Sequence, residues 1–192
     1  MFGLESSLYE KTTPFETRIK NKILNSGGVG NTKFISKIIN KIRNPEFNSL
    51  DVYRLRTQCN ALSFVDYTST LEHKFVNDKY SDLLQKYRAS IACSTLTFVV
   101  KMLEIPAAGC LSFLEVTKKN KCEYIGFQDE KTAIFINENN YRDKFEEFIS
   151  DFNNPKWKKI ADAGRKLVME EMNNDKAVES LVDLMKKAIN KN

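Results

Sequence analysis

Residues 90–116 read SIACSTLTFVVKMLEIPAAGCLSFLEV, and this stretch decides the fold class. SIAC (90–93) is short and apolar, as buried strands are; TFVVKMLEIP (97–106) has helical spacing and stops at a proline; CLSFLEV (110–116) is apolar again. A strand, a helix and a second strand in this order predict a parallel pair joined by a crossover helix. One carboxylate, that of Glu104, lies inside the apolar helix, where an unpartnered charge is costly.

The rest of the second half continues this alternation. TAIFI (132–136) predicts another strand, and helices are predicted at 141–152, from Asn154-Pro155 onward, and at 175–189. Apolar strands separated by helices indicate a parallel sheet that is covered on both faces. We therefore predict a Rossmann-like α/β domain, a parallel sheet flanked by helices, that residues 155–192 close as a pair of C-terminal helices.

The first third of the chain has a less regular pattern. TPFETRIKNKIL (13–24) predicts a helix that begins with a threonine cap and a proline, and TKFISKIINKIRN (32–44) predicts a second helix. Residues 50–66 fit a helix followed by a short strand, and YSDLLQKYR (80–88) fits a short helix. SGGVGN (26–31) lacks the GxGxxG and GxxxxGK[ST] patterns and follows a predicted helix, whereas phosphate loops follow strands. We interpret it as a helix C-cap and turn.

Composition limits the class of protein. The 192 residues are 42% hydrophobic and 29% charged, which is typical of one globular domain. The net charge of +5 is spread along the chain, so it suits an anionic ligand better than it suits nucleic acid. Four cysteines without a CxxC pair, and a single histidine, His73, predict buried reduced thiols and no zinc site. The N-terminus does not resemble a signal peptide, and no apolar run is long enough for a transmembrane segment, so we expect a cytoplasmic protein.

A candidate ligand site follows from the predicted sheet. Ligands of open α/β sheets bind beyond the carboxyl ends of the strands. Ser94 and Thr95 end the first predicted strand, and the next helix carries Lys101 and Glu104, while Gly109 lets the backbone approach a ligand closely. Glu104 suits a vicinal diol such as that of ribose. The alternative is that Glu104 is a half-exposed helix residue that pairs with Lys101.

Three basic residues, Arg18, Lys20 and Lys22, fall on the first predicted helix. They fit two interpretations, a contact with a diphosphate or a solvated helix face. His73 is isolated in TLEHKF, and an isolated histidine is more often structural than catalytic.

Several segments together resemble a known family. YSDLLQKYRASIACS, KMLEIPAAGCLSF, YIGFQDEKTAIFI and PKWKKIADAGRKLVMEE resemble, in this order, the C-terminal, donor-binding half of GT-B glycosyltransferases. The resemblance is strongest to the "glycosyl transferases group 1" and spore-maturation-type branch and covers residues 80–172. Its most specific part is the K-x-x-E-I-P-A-x-G motif at residues 101–109. Upstream, YEKTTPFETRIKNKIL is similar to the helix that opens this half.

The resemblance implies roles for several residues. The glutamate that matches Glu104 binds the ribose hydroxyls of a nucleotide-sugar donor, so Ser94 is expected near the base and ribose. Lys101 and Arg18 are expected near the diphosphate. Retaining members often carry an earlier glutamate in an E-x7-E motif, and the matching residue here is Leu96. No metal or cofactor is expected, because basic side chains and helix N-termini offset the charge of the leaving diphosphate.

We therefore expect a glycosyltransferase donor half, which binds a nucleoside-diphosphate sugar for transfer to an acceptor hydroxyl. Residues 1–192 are too few for both domains of such an enzyme, so the N-terminal acceptor domain is expected to be absent. Either the chain is one half or a fragment of an enzyme, or the acceptor half is a separate chain. The alternative is a non-catalytic, degenerate module that binds nucleotide or a protein partner. A third and weaker interpretation is a basic α/β domain that binds nucleic acid, against which the interspersed charge argues.

Overall fold

The computed structural model describes residues 3–30, 32–33, 35, 38–39, 42, 49–68 and 79–189. The strands are β1 (Ile19–Ser26), β2 (Val65–Thr68), β3 (Tyr87–Ala92), β4 (Leu111–Glu115) and β5 (Ile134–Ile136). The helices are α1 (Ser49–Val52), α2 (Arg54–Cys59), α3 (Tyr80–Leu84), α4 (Lys101–Ala107), α5 (Tyr141–Ser150), α6 (Pro155–Glu171) and α7 (Asn174–Ile189). The strands form one parallel sheet in the order β2-β1-β3-β4-β5, which confirms the predicted Rossmann-like α/β fold.

The helix predicted at residues 13–24 is wrong. A short 3-10 turn, Phe15–Thr17, is followed by β1, which lies between β2 and β3. Ile23 and Leu24 are both fully buried, one in the hydrophobic core on each face of the sheet. Consecutive apolar residues are typical of a strand that is covered on both faces, and in so short a run they also fit one face of a helix.

This correction changes the meaning of the SGGVGN segment at residues 26–31. Its glycines follow a strand rather than a helix, at the carboxyl end of β1. Gly27 has a φ of 101°, which glycine adopts at little cost, and its N–H donates to the carbonyl oxygen of Thr68 at 2.9 Å. The predicted helix C-cap is therefore wrong, and the segment is a glycine-rich loop between a strand and the residues that follow it.

The two faces of the sheet have separate cores. Leu24, Ala92 and Leu114 pack on the side of α3 and α4, together with the buried residues of α4. On the other side, Phe113 packs edge-to-face against Phe145 of α5, with ring centroids 4.7 Å apart. Helices on both faces explain why the strands have apolar runs rather than alternating patterns.

The remaining predicted elements differ mainly in their bounds. The helix and strand of residues 50–66 are α1, α2 and β2, and the helix of residues 80–88 ends early because β3 begins at Tyr87. Helix α4 begins at Lys101 and continues one residue past Pro106. Asn154 caps α6 as predicted, since its side chain accepts a hydrogen bond from the N–H of Lys156 at 3.0 Å. The helix predicted at 32–44 lies mostly outside the described residues.

The two C-terminal helices behave differently. Helix α6 packs against α4 and β4, whereas α7 has no buried residue. The apolar residues of α7 that share the stripe expected of a core helix face outward: Val178, Leu181 and Ile189 are 59%, 56% and 70% exposed. Helix α7 therefore adds little to the core formed by the described residues. None of the helices described here is long and apolar enough to span a membrane.

Candidate functional site

The carboxyl edge of the sheet brings together residues from three parts of the chain. The loop after β1 supplies Gly27 and Gly28, the segment after β3 leads into Lys101 on the first turn of α4, and α2 supplies Arg56. The loops that follow parallel strands meet at one edge of the sheet, which is where ligands of this fold class bind. Two basic side chains thus face one glycine-rich loop.

Lys101 reaches from α4 onto the end of β1. Its Nζ donates to the carbonyl oxygen of Ser26 at 2.6 Å and lies 5.2 Å from the centre of the Tyr80 ring. The pKa of Lys101 is lowered to about 7, mainly by burial and in addition by the charge of Arg56, while the charge of Glu104 acts in the opposite direction. A Cβ on residue 27 would overlap Nζ of Lys101, so the absence of a side chain at Gly27 leaves room for the amine over the loop.

Arg56 ties two loops of this edge together. It is 3% exposed, donates from Nη1 to the carbonyl oxygen of Gly28 at 3.2 Å, and donates from Nη2 to that of Cys93. Its Nε has no hydrogen-bond partner in the described part of the chain. Arg56 was missed at the sequence level, because no motif marks it and its role depends on which strands α2 packs against.

Glu104 lies one helical turn after Lys101 and is half-buried. Its Oε1 accepts a long hydrogen bond of 3.3 Å from the hydroxyl of Tyr9. Burial raises the pKa of Glu104, while the bond from Tyr9 and the charge of Lys101 act in the opposite direction. Lys101 directs its Nζ to Ser26 rather than to Glu104, which argues against a simple surface pair.

Ser94 and Thr95 lie at the carboxyl end of β3, as predicted. Ser94 is buried, and its carbonyl oxygen accepts from Nδ2 of Asn120 at 3.0 Å, so it holds the loop in place. The hydroxyl of Thr95 donates to Oε1 of Glu115 at 2.9 Å. Burial raises the pKa of Glu115 to about 7. Glu115 was also missed, since CLSFLEV has the pattern of a plain buried strand with a terminal charge.

Arg18 and Gly109 lie at the opposite, amino edge of the sheet. Arg18 directly precedes β1, is buried, and donates twice to the carbonyl oxygen of Thr13, at 3.0 and 2.6 Å. Gly109 precedes β4 with a φ of 73°, and a Cβ there would lie 3.2 Å from Nη2 of Arg18. The two residues contact each other and not Lys101. The prediction that Arg18 shares a diphosphate with Lys101 therefore does not fit the structure. Because the residues after Arg18 form strand β1, Arg18 lies at the amino end of that strand and Lys101 lies near its carboxyl end.

The described residues contain no group of His, Cys, Asp and Glu that is suited to hold a metal ion. All four cysteines are buried and free. His73 lies outside the described residues.

Comparisons with known proteins place this geometry in a wider fold class. No protein-family model and no curated protein sequence matches the chain. A glycosyltransferase from Rickettsia africae ESF-5 matches with a TM-score of 0.64 at 11% identity, over 98% of this chain and 56% of that one. Sucrose-phosphate synthase from Thermosynechococcus elongatus matches with 0.60 at 12% identity, over 100% and 52%. HepE from Anabaena, solved in complex with UDP, matches with 0.57 at 12% identity, over 94% and 56%.

At these identities the likeness shows the fold. The chain has the Rossmann-like α/β fold found in GT-B glycosyltransferases. It spans about half the length of the three solved structures.

Proposed function

We propose that this chain is the donor-binding half of a glycosyltransferase of the GT-B type and binds a nucleoside-diphosphate sugar at the carboxyl edge of its sheet. The observation that carries the proposal is the convergence of Lys101 and Arg56 on the glycine-rich loop after β1, with Glu104 one helical turn after Lys101. A similar fold was solved with UDP in Anabaena HepE, which supports a uridine nucleotide as the first ligand to test.

The diphosphate is proposed to lie over Gly27 and Gly28. Lys101 there exchanges its bond to the carbonyl oxygen of Ser26 for a phosphate oxygen, and Arg56 offers the Nε that has no partner in the described chain. Glycine has no side chain, so the phosphate can approach the backbone closely. Because burial holds the pKa of Lys101 near 7, an arriving anion draws a proton onto the amine.

The ribose is proposed to bind Glu104. A carboxylate has about four lone-pair positions, and the structure uses one of them for the long bond from Tyr9. Two vicinal hydroxyls can donate to the remaining positions. Partial burial makes such bonds stronger than they would be at the surface.

In the complete enzyme the acceptor hydroxyl is proposed to attack the anomeric carbon of the sugar. The carbon–oxygen bond to the diphosphate breaks, and the acceptor proton passes to a base on the other half. Lys101 and Arg56 offset the charge that develops on the leaving diphosphate. The proposal uses no metal and no cofactor.

A separate partner chain is proposed to carry the acceptor half. Helix α7 presents an exposed apolar stripe that such a partner can bury. Membership of the spore-maturation-type branch also stays a proposal, supported by the motif at residues 101–109. A cytoplasmic location is proposed because nucleotide sugars and free thiols fit it.

A second candidate function is a nucleotide-binding module without transferase activity. It is favoured by Leu96, which stands where the resemblance implies a carboxylate. Both candidates predict nucleotide binding. Sugar transfer after addition of the acceptor half would support the first and exclude the second.

Isothermal titration calorimetry with UDP, GDP, UDP-glucose and GDP-mannose tests the proposal. We expect one of the two nucleotide series to bind and Glu104→Ala to weaken it roughly ten- to hundredfold, as loss of a hydrogen bond to a charged group does. Glu170→Ala, an exposed acid on α6, is the matched control and should leave affinity unchanged. Absence of binding by every nucleotide would refute the proposal, and a salt-sensitive affinity for DNA or RNA in its place would support the nucleic-acid interpretation.

A further inference from the structure

Glu115 carries a carboxylate oxygen that the described chain leaves without a partner. The residue ends β4 and is 1% exposed. Its Oε1 accepts from the hydroxyl of Thr95 at 2.9 Å, but its Oε2 has no hydrogen-bond partner among the described residues. Leaving a buried acceptor unpaired costs free energy, and the cost is larger when the group is charged.

The basic side chains nearest to Glu115 have other partners. Nη1 and Nη2 of Arg56 donate to backbone carbonyl oxygens, and Arg54 pairs with Asp51 and Glu138. Both guanidinium charges act on Glu115 electrostatically, but neither forms an ion pair with it in the part of the chain that the structure describes. A structural salt bridge therefore does not explain this carboxylate.

The amide closest in sequence does not satisfy the oxygen either. Nδ2 of Asn120 donates to the backbone carbonyl oxygens of Glu115 and Ser94, at 2.8 and 3.0 Å. These bonds fix the backbone at the end of β4, but they do not involve the side-chain carboxylate of Glu115. The main chain around Glu115 is thus firmly held, while Oε2 of its side chain has no donor in the described chain.

The location of Glu115 relates it to the proposed diphosphate site. Strand β3 separates β4 from β1, and two strand spacings are roughly 10 Å, so Glu115 stands about that far across the carboxyl edge from the loop of Gly27. Thr95, which bonds Glu115, belongs to the segment that leads from β3 into Lys101. A group that is attached to a diphosphate at the glycine-rich loop can reach over this distance, from the β1 side of β3 to the β4 side.

We propose that Glu115 binds a hydroxyl group of the glycosyl unit in the donor, through its unpartnered Oε2. This inference rests on the proposed function and adds the residue that distinguishes a sugar nucleotide from the bare nucleotide. The chemistry required is a hydroxyl donor, which a sugar supplies and a nucleoside diphosphate lacks at that end. The side chain of Leu96, next to Thr95, has no hydrogen-bond acceptor for the same hydroxyl.

The protonation behaviour of Glu115 agrees with this role. Burial raises its pKa to about 7, so the free protein holds the carboxyl partly protonated at neutral pH. A hydroxyl that donates to the ionised form stabilises that form and lowers the pKa again. The ligand thereby relieves part of the cost of burying the group.

Calorimetric titration of UDP and UDP-glucose against three forms of the protein tests this inference. In the wild type we expect UDP-glucose to bind more tightly than UDP. In Glu115→Gln the carboxylate acceptor becomes an amide of the same size, so the advantage of UDP-glucose should fall about tenfold while the affinity for UDP is unchanged. Glu138→Gln, an exposed acid of the same edge, is the control and should keep the wild-type ratio.

Each outcome is decisive for one of the two proposals. Binding of UDP with no difference between wild type and Glu115→Gln in the UDP-glucose ratio overturns the role of Glu115 and leaves the donor site standing. If only the GDP series binds, GDP and GDP-mannose replace the uridine pair in the same comparison, and absence of binding by both UDP and GDP refutes the donor site itself. If Glu115→Gln does not fold, Glu115→Asp keeps the charge and withdraws the oxygens by one methylene, and an unchanged ratio in that variant overturns the inference equally.

Discussion

Replacement of Lys101 by arginine should remove the part of the pH dependence of donor binding that the lysine causes. The pKa of Lys101 lies near 7 in the free protein because the amine is buried and close to Arg56. If a diphosphate binds the protonated amine, the pKa moves back toward the ordinary value of 10.5, and binding takes up a proton at neutral pH. Arginine stays charged throughout this range, so the variant takes up no proton.

The magnitude follows from the fraction of protonated amine. With a pKa near 7, that fraction is about ten elevenths at about pH 6 and about one eleventh at about pH 8, so the affinity of the wild type relative to that of Lys101→Arg should fall roughly tenfold across this interval. UDP-glucose is the right probe, because a free terminal phosphate has a pKa of about 6 and would itself titrate. Calorimetry in two buffers of different ionisation enthalpy measures the proton uptake directly.

The Lys101→Arg variant also distinguishes the pH dependence caused by Lys101 from that caused by the two carboxylates at this edge. Any pH dependence that remains in the variant belongs to Glu104 and Glu115, whose pKa values burial raises. Wild type and Lys101→Arg with the same profile would refute the reasoning. The unligated protein gives a second readout: the unfolded chain holds the lysine proton between about pH 7 and 10.5 and the folded chain does not. Lys101 therefore makes the wild type gain stability with rising pH in that range, relative to Lys101→Met.

Three further variants test the packing around the site. Gly27→Ala places a Cβ against the flexible end of Lys101 at a φ of 101°, so we expect a stability loss of about 1 kcal/mol in urea denaturation but a loss of UDP affinity above tenfold; unchanged affinity would contradict this. Gly164→Ala places a Cβ of α6 against the carbonyl oxygen of Thr132, which cannot move freely, and should lower the free energy of unfolding by on the order of 3 kcal/mol. A melting temperature like that of the wild type would show that α6 is less tightly packed. Tyr80→Phe removes the 2.6 Å hydrogen bond to Ser26 and should cost about 1 kcal/mol by urea denaturation, with no cost if water replaces the hydroxyl.

The second half of the fold was predictable because its signals agree with one another. The apolar strands at 90–93, 110–116 and 132–136 and the cap at Asn154 all appear where the pattern places them, within a few residues. Strand β1 was not predictable in the same way. Ile19 and Ile23 have the spacing of a helix, and the preceding proline favours a helix start, but the strand wins because it can pair on both sides.

The error in β1 carried over to the site. With a helix predicted at 13–24, the glycines at 27 and 28 were interpreted as a helix cap and Arg18 as a ligand residue. Because residues 19–26 form a strand, the glycines lie at the carboxyl edge of the sheet and Arg18 lies at the amino edge. Ser94 and Thr95 follow β3 as predicted, because the strand was placed correctly, whereas the helix begins at Lys101 instead of carrying Lys101 near its end. Arg56 and Glu115 depend on which elements become neighbours in space, and a local pattern does not contain that information.

The central claim is that a nucleoside diphosphate binds over the glycine loop at the carboxyl edge of the sheet. A 15N-labelled sample titrated with UDP tests it residue by residue, since each backbone amide reports on its own surroundings. The account predicts that the amide signals of Gly28, Thr95 and Lys101 shift in a saturable manner while that of Gly109, at the amino edge, stays in place. Shifts centred on Gly109 and Arg18, or no saturable shift at all, would contradict it.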